Sequence, residues 1–552
     1  MQAQRILVIG GVAGGASAAA RARRLNETCE IIVFDRGPFV SFANCGLPYY
    51  VGDVIREEKD LIVASPELFK RRFDIDVRTR SEVLSIDRDA HEILVRDLES
   101  GREYRERYTQ LVLSPGARPV RPPFEGIDLP GIFVLRTIPD SALIRAWIEE
   151  REARHAVVVG AGFIGLEMAE NLVRRGLAVT MIELAEQVMP PLDPEMARPV
   201  EDRLRERGVD LRLGDGVAGF EQRAGGLRVT TSAGATVDTS MVILAVGVRP
   251  ETTLAQEAGL ELGETGGIHV DDSMRTSDPD IFAVGDAVEV RDFVTGKPSL
   301  AALAGPANRQ GRLAADAICG RTVKFRGVQL TSVCGAFDLV VASTGATEKA
   351  LIRAGIEDYE AVHLHPGNHV GYYPGASPIH MKLLFARSDG RILGLQAVGE
   401  AGTERRVDVV AMAIQMGATV FDLEQAELCY APQFGAAKDP VNMAGMVAAN
   451  VLRGDLPLAH WKNGVPEDVV LVDVRDSDEY AEEHVPGAIN LPLGELRDRL
   501  DEVTEISAGR EIWLYCVVGQ RAYYATRALV QRGHRVRNLS GGITTWRAAG
   551  RP

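Results

Sequence analysis

The sequence predicts an α/β protein of several domains, and three observations predict it. A β-turn-α-β pattern opens the chain, the same pattern recurs from His155, and a separate strand-and-helix segment closes it. At 552 residues the chain exceeds what one hydrophobic core serves, and its 46% hydrophobic and 25% charged content is that of an ordinary globular protein.

The elements follow in order. Residues 5–9 read as a strand, then a glycine turn, a helix over 16–25 and a strand over 30–34 that ends at Asp35. The second pattern has a strand over 155–159, a turn from Gly160 to Gly165, a helix over 166–175 and a strand over 178–182 that ends at Glu183. Two such Rossmann-like units imply two bound dinucleotides. The segment 335–450 mixes strand-like runs (381–385) with helical ones (408–414) and has no glycine fingerprint, so it reads as an α+β domain. The polar stretch 453–467 reads as a linker, and beyond it strands over 469–472 and 512–515 and a helix over 521–532 make a compact α/β segment.

A formal charge of −15 argues against general nucleic-acid binding. No apolar run is long enough to cross a bilayer and the start does not read as a signal peptide, so a cytoplasmic location and no membrane partner are expected. The six cysteines are scattered without a Cys-x-x-Cys pair, so neither a metal site nor a disulfide framework is expected. Two basic runs, Arg21–Arg24 and Lys70–Arg72, are either anion patches or solvated helix faces.

The turn Gly160-Ala-Gly162-Phe-Ile164-Gly165 has a glycine for the tight turn, a second for approach of a pyrophosphate and a third for close helix packing. Glu183 suits a ribose 2′-hydroxyl and repels a 2′-phosphate, which favours NADH over NADPH. The first turn, Gly10-Gly11-Val12-Ala13-Gly14-Gly15, places Val12 at the second glycine position, with Asp35 and then Arg36 at the end of the next strand. The strand ending in Gly285-Asp286 presents a carboxylate suited to a flavin's ribityl hydroxyls.

Together these motifs, with Ser114-Pro115-Gly116 and Ala245-Val-Gly247, resemble the pyridine nucleotide-disulfide reductase family over residues 1 to about 450. The resemblance implies FAD on the first unit (1–118 and 250–330), NADH on the second (119–249), a dimerisation domain (331–452) and a homodimer.

Cys45, in Ser41-Phe-Ala-Asn44-Cys45-Gly46, precedes an apparent helix over 46–54, whose N-terminus would favour a thiolate. Ser41 and Tyr50 stand where a second cysteine would have to be, so the centre has one sulfur. That narrows the resemblance to the single-cysteine branch: coenzyme A disulfide reductase, NADH-dependent persulfide reductase, NADH oxidase and NADH peroxidase. The last two place a histidine in the first glycine turn, which this chain lacks. The arrangement of Ser41, Asn44 and Cys45, and the run Leu428-Cys-Tyr430-Ala-Pro-Gln-Phe-Gly-Ala-Ala-Lys438, are similar to coenzyme A disulfide reductase. The resemblance makes Tyr430 a catalytic residue reaching the partner subunit's cysteine, and Lys438 a coenzyme A ligand. It matches Tyr372 to a second tyrosine, with Tyr373 the alternative, and offers Arg21, Arg24 and Arg71 to the phosphates.

Residues 460–552 resemble a rhodanese domain, through Asp473, Arg475, Pro486-Gly487-Ala488, the loop Cys516 to Arg521, and Gly541-Gly542 to Trp546. The loop suits Cys516 to a persulfide, with Arg521 at the substrate. The expected function is NADH-dependent reduction of coenzyme A persulfide or polysulfide through FAD and Cys45, with Cys516 relaying sulfane sulfur. Coenzyme A disulfide reduction is the near alternative. A sulfur carrier or sensor, and a peroxidase, are the more distant ones.

Overall fold

The computed structural model describes residues 4–550. The chain divides into two compact units, Met1–Glu186 with Gly208–Leu330, and Gln187–Arg207 with Thr331–Pro552.

The first unit contains two five-stranded parallel sheets of like order. One runs Ile281–Ala283, Gln110–Leu113, Arg5–Ile9, Glu30–Phe34, Asp76–Arg78; the other runs Asp210–Leu213, Ala178–Glu183, His155–Val159, Met241–Leu244, Ile132–Phe133. Their central strands are apolar almost throughout, as strands covered on both faces must be; Ile6, Leu7 and Val8 are all but inaccessible, as are Val157 and Val158. The segments after Ser114-Pro115-Gly116 and Gly247 pair antiparallel, Ala117–Pro119 with Val248–Pro250, so the two chain crossings between the sheets' domains run side by side. The first helices begin earlier than the sequence suggests, at Ala13 and Phe163, because each starts directly out of its glycine turn.

The second unit holds an antiparallel five-stranded sheet ordered Ser332–Ala336, Leu339–Gly345, Ile392–Gly399, Ile379–Phe385, Glu360–Leu364. It also holds a parallel sheet ordered Leu458–Ala459, Val536–Leu539, Ile512–Tyr515, Val470–Asp473, Ile489–Asn490.

By its contacts the helix Pro194–Glu206 groups with the second unit. The cause is polar as much as apolar: Asp193 takes hydrogen bonds from Gln396 Nε2 (2.6 Å) and from the Glu348 N–H (3.0 Å), and Lys382 bonds Glu195 at 2.5 Å. The stretch 453–467 is more than a linker. Leu458–Ala459 adds an edge strand to the last sheet, and Trp461, 3% exposed, packs under it and donates its Nε1–H to the Gly542 carbonyl at 2.8 Å. Its polar composition hides these few apolar anchors.

Candidate active site

The two glycine turns are built alike. Gly10 and Gly160 have φ of 94° and 101°, which a side chain resists, and a Cβ on either would meet a backbone carbonyl, Ser114 O at 2.0 Å and Ala245 O at 2.4 Å. Gly15 and Gly165 are equally constrained, by Gly10 O at 1.8 Å and Gly160 O at 2.0 Å. A Cβ on Gly162 meets nothing within 4 Å, so the space before the Phe163–Arg174 helix is an open cradle of the kind a pyrophosphate fills. In the first turn Val12, at the matching place, is the residue before the helix, and Gly14 lies against Ser114 Oγ and Val284 instead.

The acids at the strand ends are also alike. Asp35 accepts the Gly11 and Gly37 N–H groups at 2.9 and 2.8 Å; Glu183 accepts those of Ala161 and Ala185 at 2.6 and 2.9 Å. Each carboxylate is therefore aimed beside its glycine turn. Asp286, after Gly285 (φ 85°), has no hydrogen-bond partner among the described residues, and burial pushes its carboxyl up, with Arg136 opposing. A desolvated acid left without a protein partner fits ligand hydroxyls. The residues thus suit FAD on the first turn and a nicotinamide dinucleotide on the second. Arg36 follows Asp35 and its charge acts to lower that carboxyl's pKa, against burial, while Ile164 lies in the first turn of the Phe163–Arg174 helix.

Cys45 is exposed and lies inside a short 3-10 turn, Asn44–Gly46, that runs into the five-residue helix Leu47–Val51. The turn is fixed from both ends. Ser41, at φ 46°, donates its N–H to Gly11 O (2.8 Å), and its carbonyl accepts the Val63 N–H (2.8 Å). The Asn44 amide pairs with Arg136, donating to its carbonyl at 2.9 Å and accepting from its guanidinium. The expectation of a thiolate stabilised by a helix N-terminus is not met by the protein alone. The thiol is pushed up, first by desolvation around the sulfur and then by the Glu167 and Asp286 carboxylates. The helix is too short, and starts too late, to offset two acids. Arg136 and Glu167 escape the sequence reading because no local spacing links them to Cys45, whereas Tyr49, whose hydroxyl donates to Glu167 at 3.3 Å, lies in the cysteine's own motif.

Of the cations offered to phosphates, Arg24, Arg71 and Lys438 are exposed. Arg21 is not free: Asp316 holds it at 2.7 Å with its side chain 14% exposed. An acid on the neighbouring helix has taken it up. In the second unit Tyr372 and Tyr430 are both exposed and their hydroxyls meet at 2.8 Å, while Tyr373 packs edge-on against His369.

Cys516 follows the buried strand Ile512–Tyr515 and is 1% exposed. Its Sγ accepts the Gly519 N–H at 3.2 Å, as the loop composition anticipates; Gly519 has φ 90°. Arg521 points to acids, Glu479 at 2.6 Å and Asp476 at 3.4 Å, so it braces the loop's helix against the segment 476–479.

Residues 4–311 match the family described as Pyridine nucleotide-disulphide oxidoreductase, residues 331–439 that family's dimerisation domain and residues 460–549 the Rhodanese-like domain. A curated coenzyme A disulfide reductase of Staphylococcus haemolyticus is 34% identical over 449 residues, 81% of this chain and 100% of that protein. Among solved structures, reduced Bacillus anthracis CoADR-RHD is 45% identical with a TM-score of 0.96, covering 100% of this chain and 98% of that one. A NAD-dependent persulfide reductase from A. fulgidus is 38% identical with a TM-score of 0.91, covering 98% and 100%. No helix among the described residues is long and apolar enough to cross a membrane.

Proposed function

Since the chain belongs to the pyridine nucleotide-disulphide oxidoreductase family and ends in a rhodanese-like domain, we propose that it reduces coenzyme A persulfide, or polysulfide, with electrons from NADH. The observation that carries this reading is the pairing of two sulfur sites in one chain. Cys45 is exposed on a turn with no second cysteine, and Cys516 sits in a loop whose N–H faces its sulfur.

The cradle at Gly162 and the Glu183 carboxylate receive the nicotinamide dinucleotide; the first turn, Asp35 and Asp286 receive FAD. When bound, FAD supplies the two-electron link between nicotinamide and sulfur. Cys45, as thiolate, attacks the sulfane sulfur of the substrate. One S–S bond forms as another breaks, and coenzyme A leaves as its thiolate. The Tyr430 hydroxyl, hydrogen-bonded to Tyr372, gives that thiolate a proton, in a homodimer from the partner subunit. Two electrons then cleave the Cys45 persulfide and leave the Cys45 thiolate and HS⁻. Arg24, Arg71 and Lys438, exposed and cationic, bind the anionic coenzyme A. Cys516 takes sulfane sulfur from a donor and passes it on to Cys45.

A second reading, reduction of coenzyme A disulfide, uses the same Cys45 and is favoured by the Ser41, Asn44, Cys45 arrangement. Rapid mixing of NADH-reduced enzyme with each substrate separates the two. Flavin reoxidation by the persulfide at least as fast as by the disulfide supports the first. Reoxidation by the disulfide alone overturns it.

A further inference from the structure

Histidines of the antiparallel sheet meet the terminal domain at residues 540–545, around the start of its last helix, Gly542–Ala548, and His363 also packs edge-on against His460. His363 donates its backbone N–H to Ser540 Oγ at 2.9 Å, and its Nδ1 lies 3.2 Å from the same hydroxyl. His365 Nε2 lies 3.0 Å from Thr545 Oγ1. The approach is close enough that a Cβ on Gly541 (φ 70°) would meet His363 Cβ at 2.8 Å. That same helical turn grips the sulfur loop from its other side. Ile543 N–H donates to the Cys516 carbonyl at 2.8 Å, and Thr544 donates to the Val517 carbonyl from its N–H at 3.1 Å and its hydroxyl at 2.9 Å. Gly542 is required there as well, since a Cβ would meet Cys516 O at 2.3 Å.

We infer that His363 and His365 are positioning residues for the Cys516 sulfur loop, acting through the residues 540–545 that lie between them. The histidines are themselves held. His363 Nε2 donates to Glu195 Oε1 at 3.0 Å, which fixes its proton on Nε2 and leaves Nδ1 to accept the Ser540 O–H. His365 Nδ1 shares a proton with His380 Nδ1 at 2.8 Å. Burial lowers the pKa of all three rings; on His363 the Glu195 carboxylate opposes it, while Lys382 and His460 act in the same sense as burial. The Gly519 N–H stays on the Cys516 sulfur only while the loop keeps its shape, so a displaced helical turn removes a donor from the thiolate or persulfide anion.

The inference rests on the proposed role of Cys516, but its test does not use sulfur turnover. In the full-length holoenzyme, iodoacetamide modification of Cys516 is followed by peptide mass spectrometry from about pH 5 to 9, which reads the thiol's apparent pKa. His363→Leu and His365→Leu move that midpoint upward by about one pH unit, as expected when an N–H donor to the thiolate is lost. His363→Asn, which keeps a nitrogen or oxygen at the Nδ1 position, and His365→Gln, which does so for Nε2, leave it near the wild-type value. NADH-dependent turnover of coenzyme A disulfide at Cys45 is unchanged in all four. Leucine variants that fold and keep the wild-type midpoint overturn the inference. If they do not fold, Ser540→Ala and Thr545→Val decide it, since an unmoved midpoint in both is equally fatal. Failure of the proposed function would instead appear as absent sulfide release in a protein whose Cys516 midpoint still responds to these changes.

Discussion

The Tyr372 and Tyr430 hydroxyls, far apart in the chain, share a hydrogen bond of 2.8 Å on an exposed surface of the second unit. The contact makes Tyr372, rather than Tyr373, the partner of the tyrosine assigned as proton donor. It also pushes the Tyr430 hydroxyl's pKa up.

A proton donor must be protonated to act, so the pair sets an alkaline limb. Tyr430→Phe lowers kcat by about a hundredfold, the range of a lost general acid. Tyr372→Phe lowers it less and moves the alkaline limb to lower pH, because Tyr430 then titrates without the partner that holds its proton. The pH dependence of kcat for each variant checks both.

The second glycine turn separates fold from ligand. A Cβ at Gly162 meets no protein atom, whereas one at Gly165 meets Gly160 O at 2.0 Å. Gly162→Ala therefore leaves the melting temperature unchanged and raises the KM for NADH about tenfold, since the methyl group enters the pyrophosphate's place. Gly165→Ala instead lowers the melting temperature. Steady-state kinetics and thermal unfolding, measured with FAD content, distinguish them.

The Lys382 ammonium lies among three carboxylates, 3.0 Å from Asp193, 2.5 Å from Glu195 and 2.9 Å from Glu348. With Lys382 and Lys462 beside it, Glu348 is drawn down to about 2, against its own desolvation. Lys382→Met leaves these acids buried and uncompensated, and costs about 3–5 kcal/mol in urea unfolding. The deficit shrinks as pH falls, because Glu195 and Glu348, no longer held down by the ammonium, take up protons and lose their repulsion.

His363, His365 and His380 have folded pKa values below the ordinary 6.5, chiefly through burial. A histidine depressed in this way binds protons more readily when unfolded. Its contribution to stability is complete above the unfolded value and is lost as pH falls from 6.5 toward the folded value. Urea midpoints of the second unit are therefore flat above about pH 7 and drop on going to about pH 5.5. His365→Gln flattens part of that drop.

Much of this architecture was legible because its signals are local. Gly10, Gly15, Gly160 and Gly165 announce themselves, since their neighbours in sequence set the turn that demands them; so do Asp35 and Glu183 at the ends of apolar strands. The thiol environment of Cys45 was not legible. Glu167, Asp286 and Arg136 come from three distant segments, and only the fold brings them to one turn. Arg21 looked free because the acid that binds it, Asp316, lies on a helix far along the chain. The stretch before the terminal domain looked like a linker because Ala459 and Trp461 are sparse apolar residues in polar company, and their partners come from the chain's end.

The central claim is that electrons leave this protein to sulfur at Cys45, with Cys516 supplying that sulfur. It is tested most directly by sulfide release from coenzyme A persulfide under NADH, in wild type, Cys45→Ser and Cys516→Ser. The account predicts sulfide from wild type and none above background from Cys45→Ser. It predicts that Cys516→Ser still reduces coenzyme A persulfide added directly, but loses sulfide release when the sulfur must come from a donor through the terminal domain. Wild-type rates of sulfide release in Cys45→Ser would contradict it.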